Sequence, residues 1–460
     1  MVSHFPVKKR LSFLDCHKSM QKFPFHAFAS NHHSTYPDIA VSLPGKKIPD
    51  NPTWRDFSTI IEVKPSTDED PFDENASSLK RSRSLVQLAV NARNLMHAHG
   101  SLAVFVIGIY GDTLRIARFD HAAAVVSNTL DIHDDNDVEV LHQFFWQLVH
   151  PCSGDTIVGC DPTVHRLTTA DEDWLIKRLR RINRPLDPTL LSEARRAELF
   201  DDGDHVTAVK PYFLFQALDV NGRLFSRATT VWLAIPDTRV FVNGKLSSDP
   251  EPREEDLKVR VVKEAWRQLA RRPESDFYER LELIPEDKRI GLAKRICGGD
   301  VGEREVQEWE KALYGKHTVR ESNHTLEKLR HRNRLDAPKS TSSSNASSAS
   351  VPPSLSTSTS ALNAPVHRPM HQTFTWRQVY SDGDRHWHRE RSQMRFVVDI
   401  VGRPLTHFRT TKEMVMALRD AIRGNVHAHI SLDALFLMFR VLLSRASPRY
   451  EPSRGSPSRR

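Results

Sequence analysis

Cysteine is scarce in this sequence: four among 460 residues, Cys16, Cys152, Cys160 and Cys297, with no C-x-x-C pair. That excludes a disulfide framework or a zinc module of paired thiolates and makes a reducing, intracellular compartment the expectation, with nothing to separate cytoplasm from nucleus. Long apolar runs are also missing. The best, "ALFLMFRVLL" from Ala434 to Leu443, is too short for a bilayer and is interrupted by Arg440, so no membrane segment is read. Acid is almost absent at the start, where Asp15 stands alone in the first 37 residues beside several Lys and Arg. Such a leader fits a mitochondrial transit peptide or an unstructured extension. We read residues 1–35 as a disordered basic arm.

What is present is ordinary for a soluble protein: 39% hydrophobic and 27% charged residues, in a chain long enough for two or three cores. The net charge of +8 permits contact with nucleic acid or acidic lipid but identifies neither, because the excess is spread along the chain and is densest at its ends. Residues 36–165 alternate strand and helix signals. "DIAVSL" and "STIIEV" read as strands, and "SLVQLAVNARNLMHAHG" reads as a helix that Gly100 ends. "LAVFVIGIYGDTLRIARFD" reads as a hairpin around Gly111-Asp112. An α/β domain follows from this alternation. Residues 166–335 begin a second region, with strands at "RATTVWLAIP" and "KVRVVKEAW" and a helix from Pro273 to about Leu283. Residues 336–370, rich in Ser, Thr and Pro, cannot bury a core and are read as a disordered insert. A strand, "MRFVVDIVG", and a helix, "TTKEMVMALRDAIRGN", occupy 371–430. A basic tail occupies 431–460.

In "KVRVVKEAW", alternation puts Lys263 on one face with Val259 and Val261. A lysine ending an apolar face packs its stem and snorkels its ammonium to water, or holds anionic phosphates in a cleft. In protein kinases such a lysine follows a glycine-rich hairpin and pairs with a glutamate on the next helix. Upstream, "GRLFSRATTVWLA" has a strand-turn-strand layout, and downstream Glu274, Glu279 and Glu282 are available on a helix. The run resembles the fungal-type protein kinase family, with its "GRGT…VW" loop, its "V-I-K-[DE]-[SA]-W" strand and its "R…E" helix start. Lys263, Glu264, Trp266, Arg272 and Glu274 match that pattern. "WRDFSTIIEVKPS", "QLAVNARNLMHAHG", "LRIARFDHAAAVVS" and "VGCDPT" resemble the family's N-terminal region. "VVDIVGRPLTHFRTTKEMVMALRDAIRGN" resembles its hinge and following helix. The resemblance implies an N-terminal α/β domain followed by a partial protein-kinase-like α+β domain: an N-lobe, a hinge and a first C-lobe helix. It also implies ATP and Mg²⁺ as cofactors, a Ser/Thr protein substrate, and an ATP site of Lys263, Glu274 and the loop Ser226, Arg227, Ala228 and Thr229.

The sequence departs from that pattern in two places. "SRAT" replaces "GRGT", so Ser226 and Ala228 put side chains where glycines let backbone N–H groups approach phosphates. No H-R-D and no D-F-G occurs anywhere in the sequence, which removes the proton-accepting and Mg²⁺-holding aspartates of a kinase. "HRE" at His388–Glu390 precedes the hinge-like strand and is out of place. The change of character after about residue 428 is read as a truncated or mis-spliced product, and we expect little or no phosphotransfer: a pseudokinase.

A second pattern, Pro37-Asp38 followed by Glu62-Val63-Lys64, fits the P-D…(D/E)-x-K arrangement of metal-dependent nucleases. Glu62 and Lys64 share a strand face, and Asp38 on a neighbouring strand would join Glu62 on Mg²⁺, with Lys64 positioning water or stabilising charge on phosphorus. Gln87 resembles the start of the Q-x-x-x-Y element of some such enzymes, with Asn91 in place of the tyrosine. The bland alternative is a solvated strand face. The histidine pairs "MHAHG", "HWH" and "HAH" complete no metal set. The tail offers charge to nucleic acid without aromatic interleaving. Three readings stand: a kinase homologue without phosphotransfer, a non-catalytic binding or scaffold protein with an unknown partner, and a Mg²⁺-dependent nuclease.

Overall fold

The computed structural model describes residues 2–73, 78–151, 156–200, 209–242, 245–269, 271–286, 289, 292–302, 305, 371–373, 390–399 and 408–431. The Ser-rich insert at 336–370, the hinge beyond Asp399 as far as 407, and the tail past Ser431 lie outside the described residues.

Two seven-stranded sheets form among the described residues. In the first, β1 (Phe13–Asp15), β2 (Ile39–Ser42), β3 (Phe57–Lys64), β4 (Val104–Tyr110), β5 (Thr113–Phe119) and β6 (Ala124–Val126) lie side by side in chain order, with β7 (Leu130–Asp131) paired to β5. The expected hairpin joins β4 to β5, pairing Tyr110 with Thr113 across Gly111, whose φ of 59° suits a residue without Cβ. β3 and β4 are parallel, which demands a crossover. α1 (Leu79–His99) provides it, capped by the Ser78 side chain and ended by Gly100 in the left-handed region. Leu88, Ala92, Leu95 and Met96 of α1 pack with Trp54, Phe57, Ile60 and Val106 on one face. On the other face, Phe145 and Leu148 of α2 (Asp135–Leu148) pack with Ile61, Ile107 and Leu114.

The second sheet contains β8 (Val164–Arg166), β9 (Arg195–Phe200), β10 (Val209–Val220) and β11 (Thr230–Pro236). A separate two-stranded ribbon, β12 (Val240–Val242) and β13 (Lys245–Ser248), precedes its remaining strands, β14 (Arg260–Gln268), β15 (Arg295–Asp300) and β16 (Arg391–Val398). Their spatial order is β15-β16-β14-β11-β10-β9-β8. Every pairing is antiparallel. One face is covered by α3 (Thr169–Arg181), through Leu175 and Leu179, and by a short helix at Ser275–Glu282, through Tyr278 and Leu281. A mixed sheet with helices, then an antiparallel sheet with helices on one face, is consistent with a kinase-like α/β fold. A further helix spans Thr411–Ser431.

The opposite face of the second sheet corrects the reading of residues 1–35. The arm is ordered, and its aromatic side chains are largely buried. Phe23, Phe25 and Phe28 pack on Leu199, Leu214, Trp232, Val262 and Val397, while Phe5 and Leu11 enter the core beneath α2 and residues 13–15 form the edge strand β1. Lys8, Arg10, Lys18 and Lys22 face water. The charge that made the arm look unstructured is all on its outside, and aromatic side chains supply the apolar area that orders it.

A buried polar network ties the second sheet to the segment that leads into it from the first. Arg395 of β16 is about as buried as any of the described residues, at 1% exposure. Its guanidinium donates to Asp161 at 3.0 Å, Glu264 at 2.8 Å, Thr163 Oγ1 at 2.7 Å and the Glu198 carbonyl at 3.1 Å. His371 bridges Asp161 at 2.9 Å and Glu305 at 2.6 Å. Burial alone would hold the His371 imidazole neutral, but the charges and hydrogen bonds of Asp161 and Glu305 raise it to about 9. Burial likewise opposes the Asp161 charge, and His371 and Arg395 overcome it, holding the carboxyl well below the usual range.

Removing one partner of such a group leaves a buried charge uncompensated. Arg395→Met is therefore expected to destabilise the protein by about 3–5 kcal/mol in denaturant unfolding. The imidazolium of His371 contributes stability that is complete below its ordinary 6.5 and is lost as pH rises through about 9. Unfolding free energy should fall between pH 7 and 9.5, and His371→Gln should flatten that slope. An equal slope in wild type and variant would contradict the assignment.

Candidate functional site

Lys263 lies on the face of β14 that carries Val261, beneath the short helix at Ser275–Glu282. Its Nζ sits 5.5 Å from the centre of the Phe396 ring and donates to Glu274 Oε1 at 2.5 Å. Glu274 occupies the residue just before that helix, and its carbonyl accepts the N–H groups of Phe277 and Tyr278. The helix begins two residues after Pro273, so the glutamate is its N-terminal flanking residue rather than inside it. Of the three glutamates read from the sequence, Glu274 meets Lys263, while Glu279 pairs with Arg295 at 3.6 Å. The other oxygen of Glu274 accepts from Arg227 at 3.2 Å. Two cations therefore share one carboxylate, and their side chains are 14% and 31% exposed.

Arg227 comes from the loop joining β10 to β11. Ser226 Oγ donates to the Arg223 carbonyl at 2.6 Å and accepts the Ala228 N–H at 2.9 Å. The Ser226 N–H donates to the Leu224 carbonyl at 3.0 Å, and the Thr229 carbonyl accepts from Asn221 at 2.8 Å. Ala228 has φ +41°, the left-handed conformation that a glycine adopts without cost. The serine thus does more than replace a glycine: its side chain closes the turn on itself and occupies the Ala228 N–H.

The loop also docks on the first sheet. Leu224 is part of the core beneath α1, and Phe225 stacks on Phe119 with centroids 6.4 Å apart. His121 Nδ1 donates to the Leu224 carbonyl at 2.9 Å, and the Arg227 carbonyl accepts from Trp266 at 2.7 Å. Burial lowers His121 to about 4, so the ring is a neutral donor. Trp266 and Ala228 pack with Leu102 of the first domain. The residues matched beside the lysine have structural partners: Glu264 accepts from Trp232 Nε1 at 2.9 Å as well as from Arg395. None of the docking by Leu224, Phe225 and His121 was legible in local spacing, because its partners lie over a hundred residues away in the chain.

The second sequence pattern also assembles in space. Lys64 Nζ lies 3.3 Å from Glu62 and 3.5 Å from Asp38. Asp38 accepts the Val63 N–H at 2.7 Å. Glu62 is 1% exposed, accepts from Asn91 Nδ2 at 2.6 Å, and also accepts from Gln87 Nε2. Burial and the nearby Asp38 charge raise its carboxyl to about 8, against the pull of Lys64. Asn91, which stands where the sequence pattern has a tyrosine, is a direct partner of the glutamate. Among the described residues no three His, Cys, Asp or Glu side chains gather as a ready metal-ligand set. Among the described residues, too, no helix is long and apolar enough to cross a membrane.

Glycine at position 228 removes the left-handed strain, at the loss of one buried methyl group. Ala228→Gly is expected to raise stability by up to about 1 kcal/mol in thermal unfolding. A loss of more than about 1 kcal/mol would mean the methyl packing against Trp266 outweighs the strain.

A sequence model described as fungal protein kinase matches residues 37–435. No curated protein and no solved structure matches the chain.

Proposed function

Because this chain belongs to the fungal protein kinase family, we propose that Lys263 and Glu274 form the phosphate end of an ATP–Mg²⁺ site, and that the chain binds nucleotide with little or no transfer to a protein hydroxyl. The observation that carries the reading is the 2.5 Å pair between Lys263 and Glu274. A protein kinase requires that pair to hold its lysine toward the phosphates. Arg227 on the same carboxylate leaves one net positive charge among the three groups, which favours an anion at a partly dry surface. The "SRAT" loop contributes a guanidinium in place of backbone donors, since the Ser226 and Ala228 N–H groups are bonded within the loop. Transfer is a separate matter. With no H-R-D and no D-F-G in the sequence, neither the base for a Ser or Thr hydroxyl nor the Mg²⁺-holding aspartate is supplied.

Titration of the purified chain with a fluorescent ATP analogue and Mg²⁺ tests both parts. Saturable binding is expected, weakened about 10- to 100-fold by Lys263→Met, the worth of a charged hydrogen bond to phosphate. Incorporation of phosphate into a generic Ser/Thr protein substrate should stay at background. Absence of binding would turn the reading toward a scaffold that uses this face only for structure. Phosphorylation that disappears in Lys263→Met would overturn the statement about transfer.

A further inference from the structure

The nucleotide reading leaves the Asp38, Glu62 and Lys64 cluster unused. The Asp38 and Lys64 side chains are 27% and 18% exposed while that of Glu62 is 1% exposed, so the cluster opens to solvent on one side and is closed on the other. Its closed side holds two buried polar atoms without partners among the described residues. One is Oδ1 of Asn91, a fully buried residue whose amide N–H is already on Glu62. The other is the hydroxyl of Tyr110, 1% exposed. Tyr110 lies over Gly108, and a Cβ at Gly108 would fall 2.3 Å from that hydroxyl. Gly108 is the register partner of Glu62, and Tyr110 that of Lys64. The glycine therefore lets the tyrosine lie back along the strand, with its hydroxyl over the residue paired with the glutamate.

A buried oxygen without a donor is destabilising, and native structures keep few of them without a reason. Asn91 Oδ1 needs a donor, and the carboxylates need a cation. A hydrated divalent ion supplies both: Mg²⁺ binds through one or two carboxylates, keeps several waters, and completes its shell with phosphate oxygens. Charge points to the same completion. Two carboxylates against one ammonium and one divalent ion leave an excess positive charge, which a phosphodiester neutralises. Lys80 and Arg83 are exposed two turns and one turn before Gln87 on α1, placed to follow a polyanionic backbone.

We infer that Asp38 and Glu62 hold a divalent cation and that this end of the first sheet hydrolyses phosphodiester bonds of nucleic acid. In that reaction the oxygen of a metal-bound water forms the new bond to phosphorus, and its proton passes to solvent. The bond from phosphorus to the leaving sugar oxygen breaks, and that oxygen takes a proton from another water. Lys64, beside both carboxylates, stabilises the negative charge that gathers on the phosphoryl oxygens. No oxidant or other co-reactant is required.

The test uses the full 460-residue chain, with Mn²⁺ as the binding probe followed by electron paramagnetic resonance. Mg²⁺-dependent cleavage is followed on end-labelled RNA, single-stranded DNA and duplex DNA in separate arms. Wild type should bind Mn²⁺ and cleave at least one substrate. Glu62→Gln and Asp38→Asn should each weaken Mn²⁺ binding by about tenfold or more and abolish cleavage. Lys64→Ala should retain Mn²⁺ and lose about 100-fold in cleavage rate. Should Glu62→Gln fail to fold, the part-exposed Asp38 and Lys64 variants decide the matter. Mn²⁺ binding indifferent to both carboxylate variants would overturn the cation site. Bound Mn²⁺ without cleavage in any arm, or cleavage undiminished by Lys64→Ala, would overturn the hydrolytic assignment.

Discussion

The contact between Arg395 and Asp161 joins the last strand of the second sheet to the chain that leads into that sheet, and the strands around it depend on it. A guanidinium with no access to water is tolerable only if its donors all find acceptors and its charge finds a partner. Here the acceptors arrive from three places in the chain: Glu264 from the neighbouring strand β14, Glu198 from β9, and Asp161 with Thr163 from the segment leading out of the first sheet. Each must be in place at once. The geometry of one buried side chain therefore fixes how the segment leading out of the first sheet meets β9, β14 and β16. Contact between the two sheets is made by other residues, where Leu224 enters the first core, Phe225 stacks on Phe119 and His121 donates to the Leu224 carbonyl.

The two candidate sites use the same chemical device in different surroundings. In each, a strand lysine is held by a glutamate, Lys64 at the end of β3 and Lys263 within β14. Lys263 and Glu274 are equally exposed, and the pair is steadied from a neighbouring helix and loop. Lys64 instead faces a glutamate that is almost wholly buried and a more accessible aspartate. The first arrangement leaves the ammonium and a guanidinium around one carboxylate and so faces anions. The second places two carboxylates around one ammonium and so accepts a further cation first. Burial and the count of charges, rather than the motif letters, separate the two.

Much of this was legible from local pattern. Gly100, the Gly111 turn and the apolar spacing of Leu88, Ala92 and Leu95 each follow from short-range rules, and the elements form where those rules put them. The lysine and its glutamate were readable because they lie on consecutive elements. Asp38, Glu62 and Lys64 were readable because strand pairing brings neighbouring strands together at a predictable register. Three things were not legible. The arm residues Phe23, Phe25 and Phe28 have no periodicity, since they run across a sheet as an irregular cover, and basic neighbours hide them in any measure of composition. Arg395 and Asp161 are separated by more than two hundred residues, and nothing local distinguishes them from surface charges. Tyr110 and Asn91 matter through atoms that lack a partner, which no sequence pattern records.

The position of β16 has a consequence for biosynthesis. This strand is the last of its sheet in sequence, yet it lies in the interior, between β14 and β15. Until residue 398 has left the ribosome, the facing edges of those two strands have no partner, and Asp161 has no guanidinium to meet. Unpaired interior edges are templates for other chains. The second sheet is therefore open between β14 and its edge strand β15 until one strand arrives with both its hydrogen-bonding edges and its arginine.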